Sequence, residues 1–400
     1  MRKISEIMQF VREETIKGMD LSREVTDAEL YKVIHQRIGE LSRIELLSLT
    51  MRKEIGEQIF NSIRKMDVLE ELLEDEEITE IMVNGNRGIF FEKEGRMYRF
   101  DKVFSSEDKL FDIVCQIAGE SNRMVNETTP IVDTRLKDGS RVNIVLPPIS
   151  LEGPIISIRK FPKHSIGMQE LIEKDSLSTE TAEFLKKLVE GGYNIFISGG
   201  TGSGKTTVLN ALSEYIPKTE RIVTIEDSAE LQIRQIPNIV RLETRNANME
   251  GNNKITIRDL IKTALRMRPD RIIVGEIRGP EAIDLLQAMN SGHDGSISTG
   301  HGNSSRDMLS RIETMVLMGM DLPLQAVRGQ IAAAIDICIH LGRLRDGSRK
   351  LLEISQMNTM KEGNLRLEPI YRFKETGVSE GRIQGVWERM KTITIERKGS

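Results

Sequence analysis

Cysteine is almost missing from this sequence, with two residues, Cys115 and Cys338, in a chain of 400. Both fall in apolar periodic segments and are expected to be buried small hydrophobes, a usage that suits a reducing cytoplasm. A dominant charge is also lacking: 57 basic residues face 61 acidic ones, for a net charge of −4 and a pI of about 6.0. That balance gives no global pull towards nucleic acid, so any polyanion contact must be local. No cationic start followed by a long apolar run opens the chain, and every hydrophobic stretch is broken by a charge short of the roughly 18–20 residues that span a bilayer. Contact with a membrane is therefore expected to go through a partner. The guanine signature N-K-x-D is absent too, because its nearest match, Asn253-Lys254-Ile255-Thr256, has no aspartate.

What is present divides along the chain. A length of 400 residues exceeds a single core and suits roughly two or three domains. Residues 1–75 are charge-rich, without proline and helical in pattern, with Ile44, Leu47, Ile55 and Ile59 apolar; they read as an interaction or packing region. From Ile78 the period becomes two, and Asn84-Gly85 and Glu94-Gly95 mark turns of a β-meander. A helix capped by Ser105 or Ser106 follows, then strands either side of "KDGS" and the strand "PIISIRKF", so residues 76–161 make a small α/β domain. Residues 162–179, with Pro162, Gly167 and several Ser/Thr, read as a linker. Buried strands then alternate with amphipathic helices over 180–341, which specifies a parallel sheet covered by helices. Short strands separated by polar turns suggest a β-rich appendage at 342–400.

The chemistry lies in the alternating region. "GGTGSGKTT", Gly199 to Thr207, fits G-x-x-x-x-G-K-[ST] between a strand and a helix. Gly199, Gly200, Gly202 and Gly204 let backbone N–H groups turn inward round phosphates, with Thr201, Ser203 and Thr207 completing the loop. Lys205 reaches the β and γ phosphates, and the Thr206 hydroxyl ligates Mg²⁺. "TIEDSAEL" ends a strand with Glu226 and Asp227, carboxylates suited to orienting Mg²⁺ or its waters, the alternative being a solvated acidic turn. "RIIVGEIRG" ends another buried strand at Gly275-Glu276 with no aspartate. Glu276 is thus a better candidate for polarising water than for ligating metal, unless it only pairs with Arg278. "GHDGSISTGHGNS" places His301 at a strand end, where it suits sensing the phosphate state; His293, Asp294 and His301 are too few for zinc.

In this order the four stretches resemble the Walker A motif, Asp box, Walker B motif and His box of the secretion-superfamily ATPases. That family drives type II and type IV secretion, type IV pili and the tight-adherence (Flp) pilus. The likeness reaches upstream to "ITEIMVNG" and "KDGSRVNIVLPPISLEGPIISIRKF", covering roughly Ile78 to Leu341. It implies an α/β fold in which a P-loop NTPase (RecA-like) parallel-sheet domain follows a smaller α/β domain, a homo-hexameric ring, and ATP with Mg²⁺ bound between the domains. By the resemblance Arg141 and Arg159 approach the phosphates, Arg241 and Arg245 are the arginines after the Asp box, and Glu276 is the Walker B glutamate. An inner-membrane secretion or pilus platform is the implied partner, at the cytoplasmic face of the membrane, with no dedicated nucleic-acid binding. Type II and pilus-assembly members commonly insert a four-cysteine zinc element after the His box; only Cys338 lies there. The chain therefore resembles the tight-adherence or type IV secretion branch more, and "GHDGSISTGHGNSS" is most similar to the former. A hexameric DNA translocase or helicase and a non-hydrolysing nucleotide-gated scaffold are the alternatives.

Overall fold

The computed structural model describes residues 4–19, 25–42, 47–93, 95–121, 123–161, 165–245, 254–361 and 363–396; Ile44, Glu94, Pro162 and Asn253, used above as markers, lie outside them. The chain forms two compact units, Met1–Lys163 and His164–Ser400.

In the first unit α1 (Ile4–Lys17), α2 (Asp27–Leu41) and α3 (Leu49–Arg64) pack round Val11, Leu30, Ile34, Ile55 and Ile59. A capping box starts α2: Thr26 Oγ1 accepts from the Glu29 N–H, and the Glu29 carboxylate accepts from the Thr26 N–H at 3.0 Å. After α4 (Leu69–Glu74) come β1 (Ile78–Asn84), β2 (Ile89–Lys93), β3 (Arg96–Arg99), α5 (Glu107–Glu120), β4 (Ile131–Arg135), β5 (Arg141–Val145) and β6 (Ile155–Arg159). The strands form an antiparallel sheet in the order β3-β2-β1-β6-β5-β4. Ser106 caps α5, and Leu110, Ile113, Val114 and Ile117 join the sheet's core. Cys115 is exposed, against expectation: the helical period turns residue 115 away from the 110/113/114/117 stripe.

The second unit runs α6 (Met168–Glu173), α7 (Thr179–Glu190), β7 (Ile195–Gly199), α8 (Lys205–Ser213), β8 (Ile222–Glu226), β9 (Ile239–Glu243), α9 (Ile257–Ala264), β10 (Arg271–Val274), α10 (Ala282–Met289) and β11 (Ile297–His301). It continues with α11 (Ser305–Gly319), α12 (Leu324–Ala334), β12 (Ile337–Arg343), β13 (Arg349–Lys361), β14 (Asn364–Ser379) and β15 (Arg382–Arg389). One nine-stranded sheet has the order β15-β14-β13-β12-β7-β11-β10-β8-β9. From β12 to β9 every neighbour is parallel. Every residue of β7, β8 and β10 is buried, as strands covered on both faces require. Cys338 is buried in β12, and burial pushes its thiol up to about 12.

The C-terminal strands are not a separate appendage. β13, β14 and β15, of 13, 16 and 8 residues, extend the same sheet antiparallel from β12. Ile354, Ile370 and Tyr371 share one core with Ile195 and Leu212 of the parallel half. Polar and charged residues interleaved along these strands, some of them buried (Lys350, Ser355), hid their length in the sequence. At the start of β13, Lys350 is buried and donates to the Asp175 carboxylate and carbonyl, while the Leu351 N–H donates to Ser176 O at 2.8 Å.

Candidate nucleotide site

The loop between β7 and α8 is shaped by its glycines. Gly202 and Gly204 have φ of +69° and +94°, the left-handed region that lets consecutive N–H groups converge. A Cβ on Gly199 would lie 2.4 Å from Ser203 Oγ and 2.6 Å from Leu341 O, so a side chain there would collide with the loop itself. Lys205, the first residue of α8, is 8% exposed, and its ammonium donates to Gly199 O (3.1 Å) and Gly200 O (3.0 Å). It also stands 3.3 Å from His301 Nδ1.

His301 ends β11 and faces Glu276 on its other side, with Nε2 2.9 Å from Glu276 Oε1. Burial, with the charges of Lys205, Arg278 and Arg311, outweighs the pull of Glu276 and holds His301 below its ordinary pKa of 6.5. The neutral tautomer that accepts from Lys205 at Nδ1 carries its proton on Nε2, towards the carboxylate. Glu276 Oε2 accepts from Arg278 Nε at 2.8 Å, so the pairing with Arg278 is present. Oε1 stands apart: it takes no hydrogen bond of ordinary geometry among the described residues, although His301 is at ion-pair distance. A buried carboxylate oxygen with unused capacity suits a water molecule. Beside this row Thr201, Ile277, Arg278, His301, Arg311 and Met315 line a cavity of about 260 Å³.

The other two carboxylates have different surroundings. Glu226 is 4% exposed, and its Oε2 accepts from the N–H groups of Glu230 (2.7 Å) and Leu231 (2.9 Å). It is tied into its own turn because two backbone donors there need an acceptor. Gly275 makes room for it, since a Cβ there would come within 3.0 Å of Glu226 Cγ. The turn delivers Glu230, whose Oε2 lies 3.3 Å from Thr206 Oγ1. Asp227, expected at the metal, is half exposed, lies 4.0 Å from Arg278 Nη1 and accepts from Thr244 Oγ1 through its carbonyl. No group of three or more His, Cys, Asp or Glu side chains able to hold a metal occurs among the described residues. Thr206 and Glu230 nonetheless fit Mg²⁺ that arrives on phosphate, since this ion keeps several waters and needs few protein ligands.

Arg241 spends its guanidinium on the Ile233 carbonyl, and the backbone of Arg245 bridges to Ile255. His293 is held by Ala288 O and Ser291 Oγ. In the first unit Arg141 of β5 lies directly opposite Arg159 of β6, and Arg135 of β4 directly opposite Arg141. The row continues to Glu80 of β1, directly opposite Arg159 with its carboxylate 4.0 Å away, so the three guanidinium groups end on an acidic side chain. Sequence reading passed over Arg135, which joins the arginine row, and Glu230, which meets Thr206. Only Glu230 left a signal, a third acidic residue in "TIEDSAEL".

A glycine loop between a buried strand and a helix, with Lys205 and Thr206 at the helix start and Glu276 beside them, defines a P-loop nucleotide hydrolase. More narrowly, residues 63–391 match the family described as "Type II/IV secretion system protein", and the chain belongs to that family of ATPases. A protein of Mycobacterium tuberculosis (strain CDC 1551 / Oshkosh) named for conjugal transfer is 33% identical over 319 residues, 78% of this chain and 90% of the relative. The type IV secretion system protein PtlH of Bordetella pertussis is 32% identical over 303 residues, 70% of this chain and 89% of the relative. The X-ray structure of the Legionella pneumophila ATPase DotB shares the fold, with a TM-score of 0.52 at 22% identity over 73% of this chain and 80% of DotB.

Proposed function

We propose that this chain is the subunit of a homo-hexameric motor that hydrolyses ATP to power pilus assembly or protein secretion, of the tight-adherence or type IV secretion kind. The observation that carries this reading is the contact row Lys205–His301–Glu276, which sets a cation for phosphate and a carboxylate for water on either side of one imidazole. Arriving phosphates take Lys205 from the Gly199 and Gly200 carbonyls. A water held at Glu276 Oε1 attacks the γ-phosphorus, the bond to ADP breaks, and Glu276 receives the water's proton. Neutral His301 keeps both neighbours oriented and reports whether the γ-phosphate is there. Thr206 and Glu230 would hold Mg²⁺ arriving with the nucleotide, which would supply positive charge to the phosphates.

Arg141 and Arg159 complete the site in this reading, as cations that stabilise charge on the transferred group. The missing four-cysteine element supports the tight-adherence or type IV secretion branch, and the "GHDGSISTGHGNSS" stretch is most similar to the former. No helix among the described residues is long and apolar enough to cross a membrane. An inner-membrane platform protein would then hold the ring at the cytoplasmic face. Steady-state ATPase assays and light scattering test the proposal together. The wild type should turn over and form hexamers, more readily with ATP, while Lys205→Ala should neither hydrolyse nor bind ATP well. Wild-type turnover in that variant, or a strict monomer with ATP at micromolar concentration, overturns it.

A further inference from the structure

Phosphate recognition by a glycine loop needs N–H groups pointing in and carbonyl groups pointing out. An outward carbonyl needs a donor, and at Gly202 that donor comes from 147 residues downstream: Arg349 Nε donates to Gly202 O at 2.8 Å. The same side chain passes Gly204 closely, with Arg349 Cδ 3.7 Å from where a Cβ of that glycine would lie.

The turn that presents Arg349 is fixed independently of the loop. Asp346 Oδ1 accepts from the Ser348 N–H (3.0 Å) and hydroxyl (2.7 Å), and its Oδ2 accepts from the Ile383 N–H (2.7 Å). Backbone bonds from Leu344 N to Ser348 O (2.8 Å) and from Gly347 N to Leu344 O (2.9 Å) close the hairpin, with Gly347 at φ +83°. Behind it Lys350 is buried on Asp175. A rigid turn thus delivers one guanidinium to one carbonyl of a loop whose neighbouring residues are glycines, and its charge adds to that of Lys205.

We propose that Arg349 is a positioning residue for the nucleotide: it holds the Gly202 carbonyl outward and so keeps the loop's N–H groups pre-set for the α- and β-phosphates that ATP and ADP share. This rests on the phosphate-loop reading and gives the β13 extension a part in ligand binding. Loss of a charge-assisted hydrogen bond of this kind weakens binding by about tenfold.

The test compares Arg349→Ala, Arg349→Lys and, as a control in the same hairpin, Arg345→Ala, whose side chain pairs with Glu375. ADP affinity is measured by calorimetry and the ADP-induced rise in Tm by thermal shift. Arg349→Ala should weaken ADP and raise the KM for ATP by about the same factor, near tenfold, with kcat little changed and the Tm without nucleotide unaltered. Arg349→Lys should recover part of the affinity, and Arg345→Ala should match the wild type. Unchanged ADP affinity in Arg349→Ala overturns the proposal, as does a Tm lowered without nucleotide while the ADP-induced rise persists, which marks a purely structural arginine. A wild type that binds no ADP would instead refute the phosphate-loop reading itself.

Discussion

Glu276 and His301 meet at 2.9 Å, Oε1 to Nε2, across the ends of two adjacent parallel strands, β10 and β11. Arg278 holds the carboxylate through Oε2, and the imidazole at its other oxygen also touches Lys205, so a single ring stands between the Glu276 carboxylate and the Lys205 ammonium.

Glu276→Gln keeps the shape but cannot take a proton. ATP binding should survive while turnover falls about 100-fold or more, as for loss of a general base. Single-turnover hydrolysis with nucleotide affinity measured alongside checks this; near-normal turnover would move the role elsewhere.

Glu226 and Glu230 should separate cleanly. Glu226→Ala strands one buried and one part-buried N–H group and should cost about 1–3 kcal/mol of stability, read from urea unfolding. Glu230→Ala should leave unfolding unchanged and raise the Mg²⁺ concentration needed for half-maximal hydrolysis. An equal loss of stability in both variants would contradict the assignment.

Arg141→Ala and Arg159→Ala should cut kcat far more than they weaken ADP, because ADP lacks the γ-phosphate; an arginine of this role contributes about 10³–10⁵ in rate. Wild-type turnover in both would confine the arginines to the sheet.

A pH effect on stability should come from below the loop. His340 Nδ1 lies 2.9 Å from Ser198 Oγ, and burial holds its pKa below 6.5, against the pull of Glu353, the Asn303 backbone and Asp307. His301 is lowered too. Such a histidine binds fewer protons folded than unfolded, so its contribution is full above about pH 6.5 and falls as pH drops through the window beneath. Urea midpoints should decline from about pH 7 to about pH 5.5, and His340→Gln should flatten that decline. An identical slope in the variant would exclude His340 as a cause.

The strand–helix alternation and the glycine loop were legible because each is local: burial on both faces writes an unbroken apolar run, and φ > 0 demands glycine. The position of Glu276 was legible for the same reason, just past the end of such a run. The hydrogen-bond partners of Glu226 were not, because they are N–H groups four and five residues later, in the turn that follows. Arg349 was out of reach, since nothing near "DGSRK" points to Gly202; only the pairing of β12 with β7 on one side and β13 on the other brings them together.

That pairing has a mechanical side. Three consecutive residues at the head of β13 grip two distant places: Arg349 holds the phosphate loop, while Lys350 and Leu351 hold Asp175 and Ser176, in the segment that opens the second unit. All three stand on one extended strand paired with β12 (Arg343 opposite Arg349, Gly342 opposite Lys350, Leu341 opposite Leu351), which is stiff along its length where a loop would be slack. A shift of Gly202 on meeting phosphate would therefore reach residues 175–176 as displacement, through a strut a few ångströms long.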